Sequence, residues 1–289
     1  MLSDGVLHTI SKVLRVMKSP TTNWRASYPE RIVCLTEETT EALYLLGEQE
    51  RIVGISGFTV RPPEARKTKP KVSAFTSAKL ERIVELKPDL VIGFSDIQAN
   101  IAKDLVAAGL NTLMFNHRSV QEILSMILTL SGIVGCAEKG QSLVDEYVIR
   151  LQSIQAAGRA LPCRPRVYFE EWDEPMISAI RWVSELIGIA GGEDVFAHLG
   201  NESLAKNRIL ANGQPVIDAN PDVIIGSWCG KKFRPEKVAA RAGWEVITAV
   251  RNKNLHEIKS PLILQPGPAA LSDGLDELHR IISNTAKSC

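Results

Sequence analysis

An eight-residue pattern occurs twice. Leu86-Lys87-Pro88-Asp89-Leu90-Val91-Ile92-Gly93 is echoed by Ala219-Asn220-Pro221-Asp222-Val223-Ile224-Ile225-Gly226. Each copy reads as a helix end, a Pro-Asp turn, a buried strand and a glycine. Proline stops the helix because it lacks an N–H and its ring clashes with the preceding turn, and aspartate suits the turn itself. Glycine is expected to let the chain leave the strand in a conformation that other residues avoid. Either copy alone is a generic α/β turn. Their occurrence at the same place in both halves points to two related lobes.

The strands that open the two halves agree. Arg31-Ile32-Val33-Cys34-Leu35 and Arg166-Val167-Tyr168-Phe169-Glu170 each set a basic residue before a short β-branched or aromatic run, the pattern of a buried strand. In the first half, a helix over 37–46 follows, with Thr36 as its cap and Gly47 as its stop. A strand at 51–55 and a proline-rich basic loop over 58–71 come next. Thr76 or Ser77 then caps a helix bearing Leu80, Ile83, Val84 and Leu86, and strands at 90–93 and 113–115 flank a helix over 97–108. In the second half the expected elements are a strand at 167–170, a helix through 183–190 stopped by Gly191-Gly192, and a short helix at 215–219. A strand at 223–226, a helix near 235–242, a strand at 245–248, a segment at 255–258 and a closing helix over 269–283 follow. Such alternation implies parallel sheets covered on both faces.

Between the halves, residues 119–160 read as helix, opened by a Ser119–Glu122 capping box. Gly132 and Gly135 are expected to kink or interrupt it; if helical throughout it spans roughly 50–60 Å. The expected organisation is an N-terminal extension (1–30), an N-terminal α/β lobe (31–118), a bridging helix (119–160) and a C-terminal α/β lobe (161–289). The fold class is α/β, with two Rossmann-like lobes carrying parallel sheets and joined by one long bridging helix.

Composition excludes several functions. A formal net charge of +1 gives no reason to expect nucleic acid. No transmembrane segment is visible: the most apolar stretch, 123–134, is short and carries Ser125, Thr129 and Ser131. Residues 4–18 read as an amphipathic helix, either packed on the body, extended from it, or attached to a membrane surface. No signal peptide is visible, which leaves a cytoplasmic location open. The five cysteines are scattered without a CxxC pair, so neither a zinc knuckle nor a disulfide framework is expected, and a reducing compartment is favoured. His117, His198, His256 and Cys229 lack metal-ligand spacing. No nucleophile elbow, Walker loop or dinucleotide fingerprint is present, so no catalytic residue is assigned and the chain is read as a non-enzyme.

In open α/β sheets, ligands sit beyond the carboxyl ends of the strands. That rule selects Glu37, Glu38, Phe58, Arg61, Phe75, Thr76, Phe94, Glu171, Trp172, Trp228 and Cys229. Five of these are aromatic in a chain with only 6% aromatic residues, and flat rigid rings suit a large planar ligand. Core packing is the alternative for any one of them. The acidic residues either form an acidic cleft for amide or cationic groups or stabilise a helix N-terminus. Trp24, Trp182 and Trp244 are assigned to the scaffold.

The stretch Glu81-Arg82-Ile83-Val84-Glu85-Leu86-Lys87-Pro88-Asp89-Leu90-Val91-Ile92 resembles the corresponding segment of class III (cluster A-I) substrate-binding proteins. The nearest likeness is to the cobalamin-binding proteins of vitamin uptake ABC transporters. Gly54-Ile55-Ser56 with Arg61-Pro62-Pro63, Gly191-Gly192-Glu193-Asp194-Val195-Phe196, and Asn220 to Ile225 follow in the family's order, so the resemblance runs from about residue 30 to the end. It implies a class III periplasmic-binding-protein fold, little lobe movement, and non-catalytic binding of cobalamin or another corrinoid in the cleft, with no cofactor required. It also implies an ABC permease as partner and a periplasmic or cell-surface location. Siderophore, haem and metal-chelate binders share this framework, as would a cytoplasmic corrinoid-handling enzyme or chaperone. Phe58 and Phe75 fall where the cobalamin binders place aromatic walls. Glu81 matches the first of two glutamates with which they dock on the permease; the second falls near Gln214, which cannot make the charged pair.

Overall fold

The computed structural model describes residues 26–288. The helix expected over 4–18, Trp24 and Cys289 lie outside the described residues.

The first lobe runs β1 (Ile32–Cys34), α1 (Glu37–Leu45), β2 (Ile52–Ser56), α2 (Pro63–Thr68), β3 (Lys71–Ala74), β4 (Ser77–Ala78), α3 (Leu80–Glu85), β5 (Leu90–Phe94), α4 (Ala99–Ala107) and β6 (Thr112–Phe115). Its six strands form one sheet in the order β4-β3-β2-β1-β5-β6, parallel except for the β3–β4 edge pair. Every residue of β5 is buried, as expected of a strand covered by helices on both faces.

Two helices connect the lobes, α5 (Val120–Ile133) and α6 (Ala137–Arg159). The capping box at Ser119 and Glu122 forms as read from the sequence. The interruption falls at 134–136, where Gly135 takes φ +77°, a conformation that costs other residues free energy. A 23-residue helix is about 34 Å long, shorter than an unbroken helix would have been. α6 starts against the first lobe, where Lys139 Nζ donates to Leu46 O at 3.1 Å. It ends against the second, where Gly158 meets the backbone of Gly191.

The second lobe contains β7 (Arg166–Asp173), β8 (Met176–Ser178), α7 (Arg181–Ile189), β9 (Glu193–Asp194), α8 (Gln214–Ala219), β10 (Val223–Gly226), α9 (Pro235–Ala239), α10 (Thr248–Arg251), β11 (Leu255–Glu257), α11 (Ser260–Ile263) and α12 (Leu275–Ala286). Its separate sheet has the order β11-β10-β7-β8, with β9 also paired to β7. The β7–β8 pair alone is antiparallel.

The repeated octapeptide is the same device in both lobes. Lys87 and Asn220, each just before the proline, take φ +48° and +39° and end their helices. Asp89 accepts the backbone N–H of Arg31 at 2.9 Å, and Asp222 accepts that of Arg166 at 2.8 Å. Asn111 and Asn254 donate side-chain N–H groups to the carbonyls of Asp89 and Asp222 at 3.0 and 2.8 Å. Each motif thus ties the starts of three neighbouring strands together. The glycines differ from expectation. Gly93 and Gly226 do not adopt positive φ; instead a Cβ on Gly93 would stand 2.7 Å from the Met114 side chain, and one on Gly226 would enter the Phe233 ring.

Other local expectations are corrected. Thr36 precedes α1 but makes no cap bond to the helix backbone; its hydroxyl donates to Glu38 Oε1. Ser77 pairs with β3 as part of β4, and the following helix begins after Lys79. The 58–71 loop contains α2, opened by proline and closed by Arg66 and Lys67, charges that favour a helix C-terminus. Residues 245–248 form no strand: the Asn220 side chain accepts the Thr248 N–H at 2.8 Å, starting α10, and the edge strand is β11. Cys163 is disulfide-bonded, while Cys34, Cys136 and Cys229 are free. No disulfide was expected, and the bond at Cys163 corrects that, although one bond is not a framework.

Candidate ligand-binding site

The carboxyl ends of the parallel strands carry the residues that face between lobes, and four contacts fix how the lobes meet. After β6, His117 Nε2 lies 2.7 Å from Pro266 O in the second lobe. A carbonyl can only accept, so the proton sits on Nε2. Burial lowers this imidazole to about 4, so it is neutral. Beyond β1, the Cβ of Glu38 lies 2.5 Å from where a Cβ would stand on Gly267. One turn further, Glu41 accepts the Ala269 N–H at 3.2 Å and pairs with Arg61 at 2.8 Å, and Arg61 reaches Asp273 at 2.9 Å. The segment 266–273 is thus a second connection between lobes, beside the two helices.

The first turn of α1 concentrates acid. Burial, and then the neighbouring charge of Glu38, pushes Glu37 up to about 8. Burial pushes Glu38 up to about 7, against the stabilising Thr36 hydroxyl. Glu38 is 1% exposed, and its Oε2 has no partner. Burial raises Glu41 as well, opposed by Arg61. Groups titrating near neutrality can donate a hydrogen bond when protonated and accept one when ionised. The free Cys229 thiol reaches solvent, yet partial burial, then the charges of Glu37 and Glu171, push it above its usual range. Glu37, Glu171 and Cys229 are therefore brought into one electrostatic neighbourhood, with Glu37 on the first lobe and the other two on the second.

On the second lobe, Glu170 is fully buried and organises what surrounds it. It accepts from Tyr168 Oη at 2.9 Å, Trp228 Nε1 at 3.0 Å and the two terminal nitrogens of Arg241 at 2.6 and 2.9 Å. Beside it, Glu171 pairs with the buried Arg208 at 2.6 Å. Trp172 is half-buried, its Nε1 donating to Glu174 O at 2.9 Å. Lys231 Nζ lies 5.2 Å from the Trp172 ring centre and 5.0 Å from that of Trp228, and 2.6–2.7 Å from both oxygens of Asp173.

The sequence-selected rings separate into two groups. Phe58 is 55% exposed, and Phe75 and Trp172 are partly buried. Trp228 is 3% exposed and stacks edge-on against Phe233. It is a core residue and not an open wall, because Glu170 draws its N–H inward. Phe94 is also buried, covered by Arg118 at 4.6 Å and His117 at 4.9 Å. Arg61 is corrected too: its ion pairs commit it to the contact between lobes. It also lines a separate 450 Å³ groove with Glu41, Tyr44, Leu45, Val60, Pro62 and Pro63. Thr76 is exposed. Arg208, Lys231 and the 266–273 segment were not selected from sequence, since none carries a periodic or motif signal. Glu81 is exposed in the first turn of α3, and Gln214 is exposed at the start of α8, bonded to Asp218 at 2.7 Å. Among the described residues, no three His, Cys, Asp or Glu side chains could hold a metal ion. No helix there is long and apolar enough to cross a membrane.

Comparison with known proteins gives concordant matches. The family described as "Periplasmic binding protein" matches residues 32–262. A vitamin B12-binding protein of Vibrio parahaemolyticus is 27% identical over 249 residues, covering 84% of this chain and 86% of its own. An ABC transporter substrate-binding lipoprotein of Bacillus subtilis is 26% identical over 264 residues, covering 86% and 79%. Among solved structures, a periplasmic haem-binding protein from Roseiflexus superposes with a TM-score of 0.77 at 23% identity, covering 90% of this chain and all of its own. The periplasmic vitamin B12-binding protein of Vibrio cholerae gives 0.73 at 22% identity, covering 91% and all of its own.

Proposed function

This chain belongs to the periplasmic binding protein family, and we propose that it captures a corrinoid, cobalamin or a close relative, between its lobes for an ABC-type uptake system. The observation that carries the reading is similarity spanning both lobes to relatives named for vitamin B12 binding, from several Vibrio species, at 24–28% identity over 84–92% of this chain. Corrinoids carry a rim of amide groups around a flat macrocycle. The acidic turn supports that choice, because carboxyls poised near neutrality can meet amide oxygens and amide N–H groups alike. Phe58 and Trp172 supply ring surface at little entropic cost.

The ligand is held and not transformed, and no residue is given a catalytic part. A permease would meet the first lobe at Glu81, while Gln214 on the second lobe brings no charge to the contact. Family membership favours a periplasmic or cell-surface location.

Titration with hydroxocobalamin, cyanocobalamin, haem and ferric siderophores, followed by absorbance, tests the reading. Saturable one-to-one binding of a cobalamin is expected. Tight binding of haem or a ferric siderophore with no cobalamin binding would replace the ligand while keeping the family.

A further inference from the structure

We propose that Lys231 is the positioning residue of the second lobe's binding wall, holding Trp172 and the 228–231 turn in one arrangement. The inference rests on the ligand reading above only for its binding arm.

The two indoles that Lys231 touches differ in how firmly they are held. Trp228 is anchored without help: its N–H is bonded to Glu170, and its ring packs on Phe233. Trp172 is half-buried, and its one polar tie is to a nearby carbonyl, Glu174 O. Lys231 links the loose ring to the fixed one. Its ammonium stands about equally far from both ring centres, 5.2 and 5.0 Å, within the range where a cation is drawn to an aromatic face. Asp173 fixes the ammonium from the side, at 2.7 and 2.6 Å, and is itself the neighbour of Trp172 in β7. The Lys231 backbone N–H closes the turn onto Trp228 O at 3.2 Å, and Gly230 supplies the φ of +70° that the turn requires. Cys229 rides on the same turn. One lysine side chain therefore couples the end of β7 to the loop after β10.

Removing the ammonium frees the Trp172 ring, whose ordering must then come from the ligand, and affinity falls accordingly. The test uses the full chain labelled with 5-fluorotryptophan, the Trp172 fluorine resonance being assigned by its loss in Trp172→Phe. Lys231→Met keeps the stem and removes the charge, whereas Lys231→Arg restores both the cation and a partner for Asp173. The expected result is a shifted or broadened Trp172 resonance in Lys231→Met and hydroxocobalamin binding weakened about tenfold, with Lys231→Arg within about threefold of the parent. An unmoved Trp172 resonance in Lys231→Met overturns the proposal, including where melting temperature alone has dropped, because that outcome marks a purely structural ion pair. Equal weakening in both variants overturns it as well. If the parent binds no corrinoid but the resonance still moves, the ligand reading fails and the positioning role stands.

Discussion

Glu38 and Gly267 meet so closely that no side chain fits between them: a Cβ on Gly267 would lie 2.5 Å from the Glu38 Cβ. The contact joins the first turn of the first lobe's leading helix to the 266–273 segment of the second. With His117 on Pro266 and Glu41 on Ala269 beside it, the segment braces the lobes at a second place. We expect Gly267→Ala to push the segment outward and cost about 1–3 kcal/mol, measured as a fall in ΔG of unfolding in urea. Gly188 is the control. Nothing lies within 4 Å of its Cβ position, and it sits within α7, so Gly188→Ala should stabilise by up to about 1 kcal/mol.

The acidic turn gives a pH signature. Glu37 and Glu38, raised to about 8 and about 7, hold protons in the folded state that an unfolded chain with carboxyls near 4.5 releases. Their contribution is complete below pH 4.5 and is lost as the pH climbs through 7 and 8. His117 works in the opposite sense, since its folded value of about 4 lies below the ordinary 6.5, so its contribution is lost as the pH falls from 6.5 towards 4. Above 6.5 His117 is neutral in the folded state and mostly neutral in the unfolded one, so the carboxyls dominate the window from 6.5 to 8. Stability should fall there by about 2 kcal/mol. Glu37→Gln should flatten that slope, as read from urea midpoints across the window.

The paired Pro-Asp motifs predict matched sensitivities. Asp89→Ala deprives the backbone N–H groups of Glu30 and Arg31 of their acceptor, and Asp222→Ala does the same for that of Arg166. Each should cost about 1–3 kcal/mol, with the Asn variants retaining part of it, checked by thermal unfolding.

The buried and half-buried indoles predict opposite phenotypes. Trp228→Ala empties a packed site and removes one of the donors that hold Glu170, so it should lower stability by about 3–5 kcal/mol. Trp172→Ala should leave the melting temperature nearly intact and weaken ligand binding by about 1–3 kcal/mol. Parallel calorimetry and titration separate the two.

What was legible in the sequence was whatever local chemistry enforces. The Pro-Asp echo, the capping box at Ser119 and the continuous apolar runs of β5 and β10 each state their structure within a few residues. What was not legible depends on partners distant along the chain. Thr36 looked like a helix cap, but it makes no cap bond and its hydroxyl donates to Glu38. Residues 245–248 have strand composition, yet Asn220, 28 positions earlier, caps them into a helix. Trp228 follows a strand as a wall residue would, and only the burial of Glu170 beside it turns the ring inward. Arg61 lay in the right segment, but Asp273, on the far lobe, claims it.

Spectroscopic titration of the full chain with hydroxocobalamin tests the central claim most directly. The prediction is saturable one-to-one binding with Kd of about 1 micromolar or tighter, equivalent to roughly −8 kcal/mol. A folded protein showing no spectral change and no retention of hydroxocobalamin at concentrations well above that would contradict it.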